Sequence, residues 1–247
     1  MGVQFNGSSQ YLQYDNPTAF GYPFSIGCWF LPLSVTATTR CVHGITNSTT
    51  TGNGWDLEYD SSNGLGFWAG VSNNWVVAAV GTPTAGQWHY ALARGISATN
   101  RRLSCLFPNG SSAHAQNTTS SSPTGVTTLS LGVLRESTPI LFMDGFVAEY
   151  WFAGVDVVPD GGATPDALLQ QLAFKGPFSL RHIADKILVY RSFFRSAGSD
   201  TDVFGEQAWG TFAPQTWTSV NGAVLAPHPP LAPDYARPAD FRQLVPA

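Results

Sequence analysis

Apolar and polar residues alternate in short runs along most of this chain, with turn-forming residues between the runs. In residues 24–33, FSIGCWFLPL, one parity holds Phe24, Ile26, Cys28 and Phe30, and the other holds Ser25, Gly27, Trp29 and Leu31. That is the period of a β-strand, and it stops near Pro32, which has no N–H for a ladder. The runs VQF and YLQY flank Asn6-Gly7 and predict a hairpin over 3–14. A short strand is predicted at 41–45, and a second hairpin at 55–59 and 65–69 around Asp60-Ser61-Ser62-Asn63-Gly64. The run 75–80 ends at Gly81 and Pro83; 85–94 and 102–107 follow as strands and lead into Pro108-Asn109-Gly110. Residues 111–128 are rich in Ser, Thr and Asn, with no core of their own.

The densest apolar stretch is 141–154, LFMDGFVAEYWFAG. Its apolar residues occupy both parities, so as a strand it is covered on both faces or changes face at a bulge. Glu149 is the one charge after the Asp144-Gly145 turn. A carboxylate among Phe146, Val147, Tyr150 and Trp151 costs about 1–3 kcal/mol even as a merely unsatisfied polar group. A structural acid received by backbone amides or an arginine is expected there. Thr164-Pro165-Asp166 opens a helix to about residue 174, with Thr at the N-cap, Pro at N1 and an acid in the first turn. A last strand is predicted at 185–194, and the chain is expected to turn irregular from 213. Six prolines in 227–247 leave too few backbone donors for a central strand. Short strands at regular spacing predict an all-β, two-sheet antiparallel sandwich with one short helix over 1–212, and an extended proline-rich tail over 213–247.

Composition narrows the function classes. Apolar residues make up 43% and aromatics 13% of 247 residues, enough to fill a large core. Charged residues make up only 11%, against roughly 25% in ordinary soluble domains. The net charge is −4 and no basic block offers phosphates a track, so no nucleic acid is expected as partner. Three cysteines, Cys28, Cys41 and Cys105, cannot all pair, and each lies in an apolar run; buried, reduced thiols are expected. The start MGVQFNGSS has neither a basic region nor an apolar one, and no run of eighteen apolar residues occurs, so neither a cleaved signal nor membrane insertion is expected. The Asn-x-Ser/Thr matches at Asn6, Asn47, Asn109 and Asn117 read as turn chemistry.

The sharpest candidate chemistry is Asp56-Leu57-Glu58-Tyr59-Asp60, because period two puts three acids on one strand face, near enough for paired-carboxylate work on glycosides. The segment runs straight into a turn, so these acids are expected to face water while Leu57 and Tyr59 fill the core. Trp88 is expected toward the core and His89 toward solvent or a sheet edge. For calcium, Asp15, Asn16 and Asp144 offer oxygens without a loop motif. No catalytic residue, metal or cofactor is therefore expected.

The succession VQFNGSSQYLQY, PFSIGCWFLPLS, AGQWHYALAR, RLSCLFPNG, LSLGVLRE and FMDGFVAEYWFAG resembles the laminin-G-like branch of the concanavalin-A-like lectin/glucanase jelly rolls, over about residues 3–174. DKILVYRSFF and HPPLAP are similar to the C-terminal ends of jelly-roll proteins of tailed bacteriophages. The resemblance implies a jelly roll of two packed sheets. Glucanases of this superfold carry Glu-x-Asp-x-Glu, the inverse of the order here. The implied function is a non-enzymatic bacteriophage virion protein, made in the host cytoplasm, that decorates a capsid and binds other virion proteins, the major capsid protein first, with a homo-oligomer also open. The tail would grip a neighbouring subunit through Leu231, Tyr235, Phe241, Leu244 and Val245 on a polyproline-like backbone. The alternative is a lectin-like adhesion module that stacks surface glycans on Trp68 or Trp75. A glycoside hydrolase comes third.

Overall fold

The computed structural model describes residues 2–15, 21–191, 200–201, 216–221 and 224–226. Its strands are β1 (Gly2–Asn6), β2 (Tyr11–Asp15), β3 (Phe24–Pro32), β4 (Arg40–Thr46), β5 (Gly54–Asp60), β6 (Gly64–Val71), β7 (Asn74–Val80), β8 (His89–Ser97) and β9 (Asn100–Leu106). After these come β10 (Ser112–Asn117), β11 (Thr128–Leu131), β12 (Leu134–Arg135), β13 (Pro139–Ile140), β14 (Asp144–Ala153), β15 (Ile187–Arg191), β16 (Asp200–Thr201), β17 (Thr216–Val220) and β18 (Val224–Ala226). Between β14 and β15 lie α1 (Asp166–Lys175), a 3₁₀ turn (Pro177–Ser179) and α2 (Arg181–Ala184). The first sheet runs β10-β9-β8-β3-β14-β1-β18, with β15 also on β14; the second runs β16-β17-β2-β11-β4-β5-β6-β7. All described pairings within them are antiparallel, the two-sheet sandwich that the alternation predicts.

The core between the sheets takes one parity from each strand: Val3 and Phe5, Ile26, Cys28 and Phe30, Trp55, Leu57 and Tyr59, and Phe67. The other parity of the first sheet is also buried. Trp29, Tyr90, Leu92 and Trp151 pack under Leu169, Leu172 and Ile183 of the helical segment. The first sheet is thus the middle of three layers, which is why β3 and β14 are apolar on both parities. Arg94, on β8 and fully buried, holds the connector to α1: it donates to both Asp156 oxygens at 2.6 and 2.7 Å, to Gly162 O at 2.9 Å and to Thr164 Oγ1 at 3.0 Å. Thr164 therefore serves Arg94, and α1 begins after Pro165 with no side-chain cap.

The bulge in 141–154 is present as well. Glu149 has φ +49°, and the pairing of β14 with β3 shifts register between Ala148 and Trp151. Here β14 changes neighbour on its other edge, from β1 over Asp144 to Val147 to β15 over Tyr150 to Ala153. The Tyr190 hydroxyl on β15 donates to Glu149, so a phenol is among the groups that receive this acid.

Four expectations are corrected. Residues 3–14 form no hairpin: β1 lies in the first sheet and β2 in the second. The Asn6 side chain accepts the N–H groups of Ser8, Ser9 and Gln10 at 3.0–3.1 Å, and this turn carries the chain between sheets. Segment 111–128 contributes β10, an edge strand on β9. The stretch expected to be irregular from 213 contains β17, paired with β2, and β18, paired with β1. Finally, His89 and Trp88 face opposite to expectation. His89 is fully buried against Phe30, at 5.3 Å between ring centroids, and Trp88 lies half-buried on the outer side. His89 Nε2 accepts the Thr84 N–H and Nδ1 donates to Gln87 O, a neutral tautomer; burial pushes its pKa down to about 4.

Candidate functional site

The outer face of the second sheet gathers the chemistry that the sequence singles out. On β5, Trp55, Leu57 and Tyr59 point into the core, so Asp56, Glu58 and Asp60 point outward. Across β6, Asp56 stands opposite Trp68, Glu58 opposite Gly66 and Asp60 opposite Gly64. On β7, Val77 is opposite Trp68 and Trp75 opposite Gly70. Trp68 and Trp75 are therefore diagonal neighbours on one face, at a Cα separation of about 7–8 Å.

Glycines determine how these indoles lie. A Cβ on Gly70 would stand 2.4, 2.5 and 2.6 Å from Cδ2, Cε3 and Cε2 of Trp75, so the fused ring rests on the bare backbone of β6. A Cβ on Gly66 would meet Trp68 Nε1 at 2.7 Å and Val77 Cγ2 at 2.8 Å. Outward positions on β6 read Gly64, Gly66, Trp68, Gly70, a trough that receives two half-exposed indoles. The pattern is visible in the sequence as G-x-G-x-W-x-G, a signal that strand alternation alone passes over.

The acids do not face water. Asp56 is 1% exposed, Glu58 9% and Asp60 4%. A strap over residues 132–140 crosses this face. Ser130 Oγ donates to Val133 O at 2.8 Å, Leu134 Cδ1 would be 3.4 Å from a Cβ on Gly44, and the Thr46 hydroxyl donates to Arg135 O. The strap also brings in Glu136, 3% exposed, whose Oε1 accepts the Gly52 N–H at 2.6 Å. Sequence reading missed Glu136, because only the crossing of the strap places it beside β5.

Burial, then Glu58 and Glu136, hold the Asp56 carboxyl well above the usual carboxylate range, and neither of its oxygens has a hydrogen-bond partner. Glu58 is pushed up to about 8, by burial first and then by Asp60 and Glu136. The Cys41 thiol, opposite Glu58, is raised by burial and the same acids. Glu58 is thus held mostly protonated near neutrality, and burial and its neighbours shift Asp56 in the same direction. Asp60 differs: against the cost of burial, hydrogen bonds from Asn63, Ser62 and Thr39 hold it low, and it caps the β5–β6 turn.

The remaining candidates separate. Asp15 bonds Thr128 and Gln13 in the second sheet, Asp144 bonds Ser34 beside the first, and Asn16 lies outside the described residues. No group of three or more His, Cys, Asp or Glu among the described residues is arranged to hold a metal ion. His114 bridges Ser104 Oγ at 2.9 Å and Asp166 Oδ1 at 2.7 Å, a Ser-His-Asp chain, but Ser104 is 1% exposed and no substrate carbonyl can reach it. Leu231, Tyr235, Phe241, Leu244 and Val245 lie outside the described residues.

A sandwich of this topology, with an aromatic outer face, defines a class, and comparison with known proteins agrees. The model of the concanavalin A-like lectin/glucanases superfamily, in its laminin-G form, matches residues 6–153, and the chain belongs to that family. No curated protein matches the sequence. Among solved structures, a protein from Bacteroides ovatus named as a candidate carbohydrate-binding protein aligns at TM-score 0.62 and 12% identity, over 94% of this chain and 61% of that one. Tailspike protein 2 of the Escherichia coli O157:H7 bacteriophage CAB120 aligns at TM-score 0.57 and 13% identity, over 79% of this chain and 27% of that one. A NanB sialidase variant from Streptococcus pneumoniae aligns at TM-score 0.50 and 13% identity, over 65% and 26%. At these identities the likeness is one of fold.

Proposed function

We propose that this protein is a non-catalytic carbohydrate-binding module whose site is the outer face of the second sheet. The observation that carries the reading is the pair of half-exposed indoles, Trp68 and Trp75, laid on the glycines of β6 as adjacent platforms. Flat aromatic surface fixed by the backbone gives stacking area at little cost in side-chain entropy. The low charge of the chain suits neutral, hydroxyl-rich ligands. Asp56 and Glu58 lie buried under the strap that carries the equally buried Glu136, where a glycosidic oxygen could not come within the roughly 3 Å that proton transfer needs. The family and the Bacteroides ovatus fold neighbour favour the same reading.

The test is affinity electrophoresis and calorimetry against a panel of soluble polysaccharides. Trp68→Ala and Trp75→Ala are each expected to weaken binding about tenfold, or ~1.4 kcal/mol. Hydrolysis products are expected to be absent. Failure to bind any member of the panel, binding indifferent to both substitutions, or turnover abolished by Glu58→Gln in a folded protein would each overturn the reading.

We further propose a bacteriophage particle as the setting, with other virion proteins, the major capsid protein among them, as partners. The fold likeness to a phage tailspike protein favours it. Proteomics of purified particles is expected to find the chain in fixed copy number; its absence removes this reading and leaves the sugar site standing.

A further inference from the structure

Beside α1, the outer face of the first sheet carries a groove with a cavity of about 300 Å³. Trp29, Trp88, Phe107 and Phe174 line it, with the exposed Gln87 and Gln170, and no charged residue does. The Trp29 indole N–H is engaged with Ala173 O at 2.9 Å. Among the described residues, the indole N–H of Trp88 and the amides of Gln87 and Gln170 have no hydrogen-bond partner. Planar apolar walls, free donors and no charge suit a proline-rich extended chain. Its rings pack on aromatic faces, and its carbonyls, unpaired within a polyproline helix, accept from indole and amide donors.

This chain contains such a segment, Pro227-His228-Pro229-Pro230-Leu231-Ala232-Pro233. At three residues per turn, Pro227, Pro230 and Pro233 fall on one edge. The segment starts directly after Ala226, the last residue of β18, and Ala226 pairs with Gly2. Gly2 borders the groove: a Cβ there would stand 3.1 Å from the Trp88 indole and 3.6 Å from the Ala148 side chain. From Ala148 a cross-strand row continues through Trp29 and Tyr90 to Leu106. The column of Trp29 is three strand spacings from β18, about 14 Å, or about five polyproline residues. Charge, donors and reach agree on one occupant. We propose that residues 227–233 dock in the groove of their own chain as a polyproline helix, with the Pro227, Pro230 and Pro233 edge against the aromatic walls.

The experiment uses the full chain with its indole N–H groups isotopically labelled. The three native cysteines are buried, so a spin label attaches at Ala232→Cys alone. The expected result is loss of the Trp88 and Trp29 indole signals, while that of Trp68, on the opposite sheet, persists. Pro227→Gly, Pro230→Gly and Pro233→Gly together are expected to restore both signals, with the Trp55 signal unmoved as the check on folding. No selective loss overturns the proposal. Equal loss when spin-labelled and isotope-labelled chains are mixed makes a second copy the occupant and overturns the same-chain assignment. A Trp88 signal that responds only to added polysaccharide makes the groove a sugar site and overturns it too.

Discussion

Glu58 holds a proton in the folded chain that it would release on unfolding near neutrality, and the Asp56 carboxyl is shifted in the same direction. Their folded-state pKa values stand above the unfolded ones, so the native state binds more protons and loses stability as pH rises. For Glu58 the window runs from 4.5 to about 8: its contribution is complete below the window and gone above it. The melting temperature is expected to fall across that interval. Glu58→Gln is expected to flatten the fall and raise the melting temperature at pH 8 relative to wild type, by several degrees if about 1–3 kcal/mol is recovered. Melts of both proteins in half-unit pH steps check this, and parallel curves would count against it. The thiols belong to the same scale. Cys28 and Cys105 are wholly buried with their pKa values pushed up by burial, so labelling of all three cysteines is expected to complete only after denaturation.

At the level of elements, β6 and β8 hold the two decisive arrangements. Gly70→Ala puts a methyl where the Trp75 ring lies, and is expected to weaken polysaccharide binding while leaving the far-ultraviolet spectrum unchanged. Arg94→Ala leaves Asp156 without its partner and removes the tie to the α1 connector; a loss of about 3–5 kcal/mol is expected in urea unfolding. These elements also show what a sequence discloses. The strands β3, β5, β6 and β9 are legible from alternation, and the double burial of β14 from its two apolar parities. Alternation tells which side chains share a face, but when both faces are covered it does not tell which face is which. That is why His89 and Trp88 read inverted. The acids of β5 read as solvated for a related reason: their cover is a strap from residues 132–140, distant in sequence. The Asn6-Gly7 signal is local and specifies a turn; whether the strands it joins pair with each other depends on sheets assembled from remote segments.

The molecule as a whole is a three-layer object in which one face of each sheet is assigned to the common core. The outer face of the first sheet is taken by the helical segment and the groove beside it, and that of the second by the strap and the indole trough. The two outer faces are thus available for separate tasks, and a substitution in one is expected to leave ligand binding at the other unchanged. β18 has a consequence for how the chain is made. Gly2 pairs with Ala226, so this edge of β1 stays bare on the ribosome until more than 220 further residues have been added, on the order of ten to forty seconds at ordinary elongation rates. Over that interval the nascent chain presents an open strand to other nascent chains, and the slow codons or chaperones that protect it would have to act before residue 226 is translated.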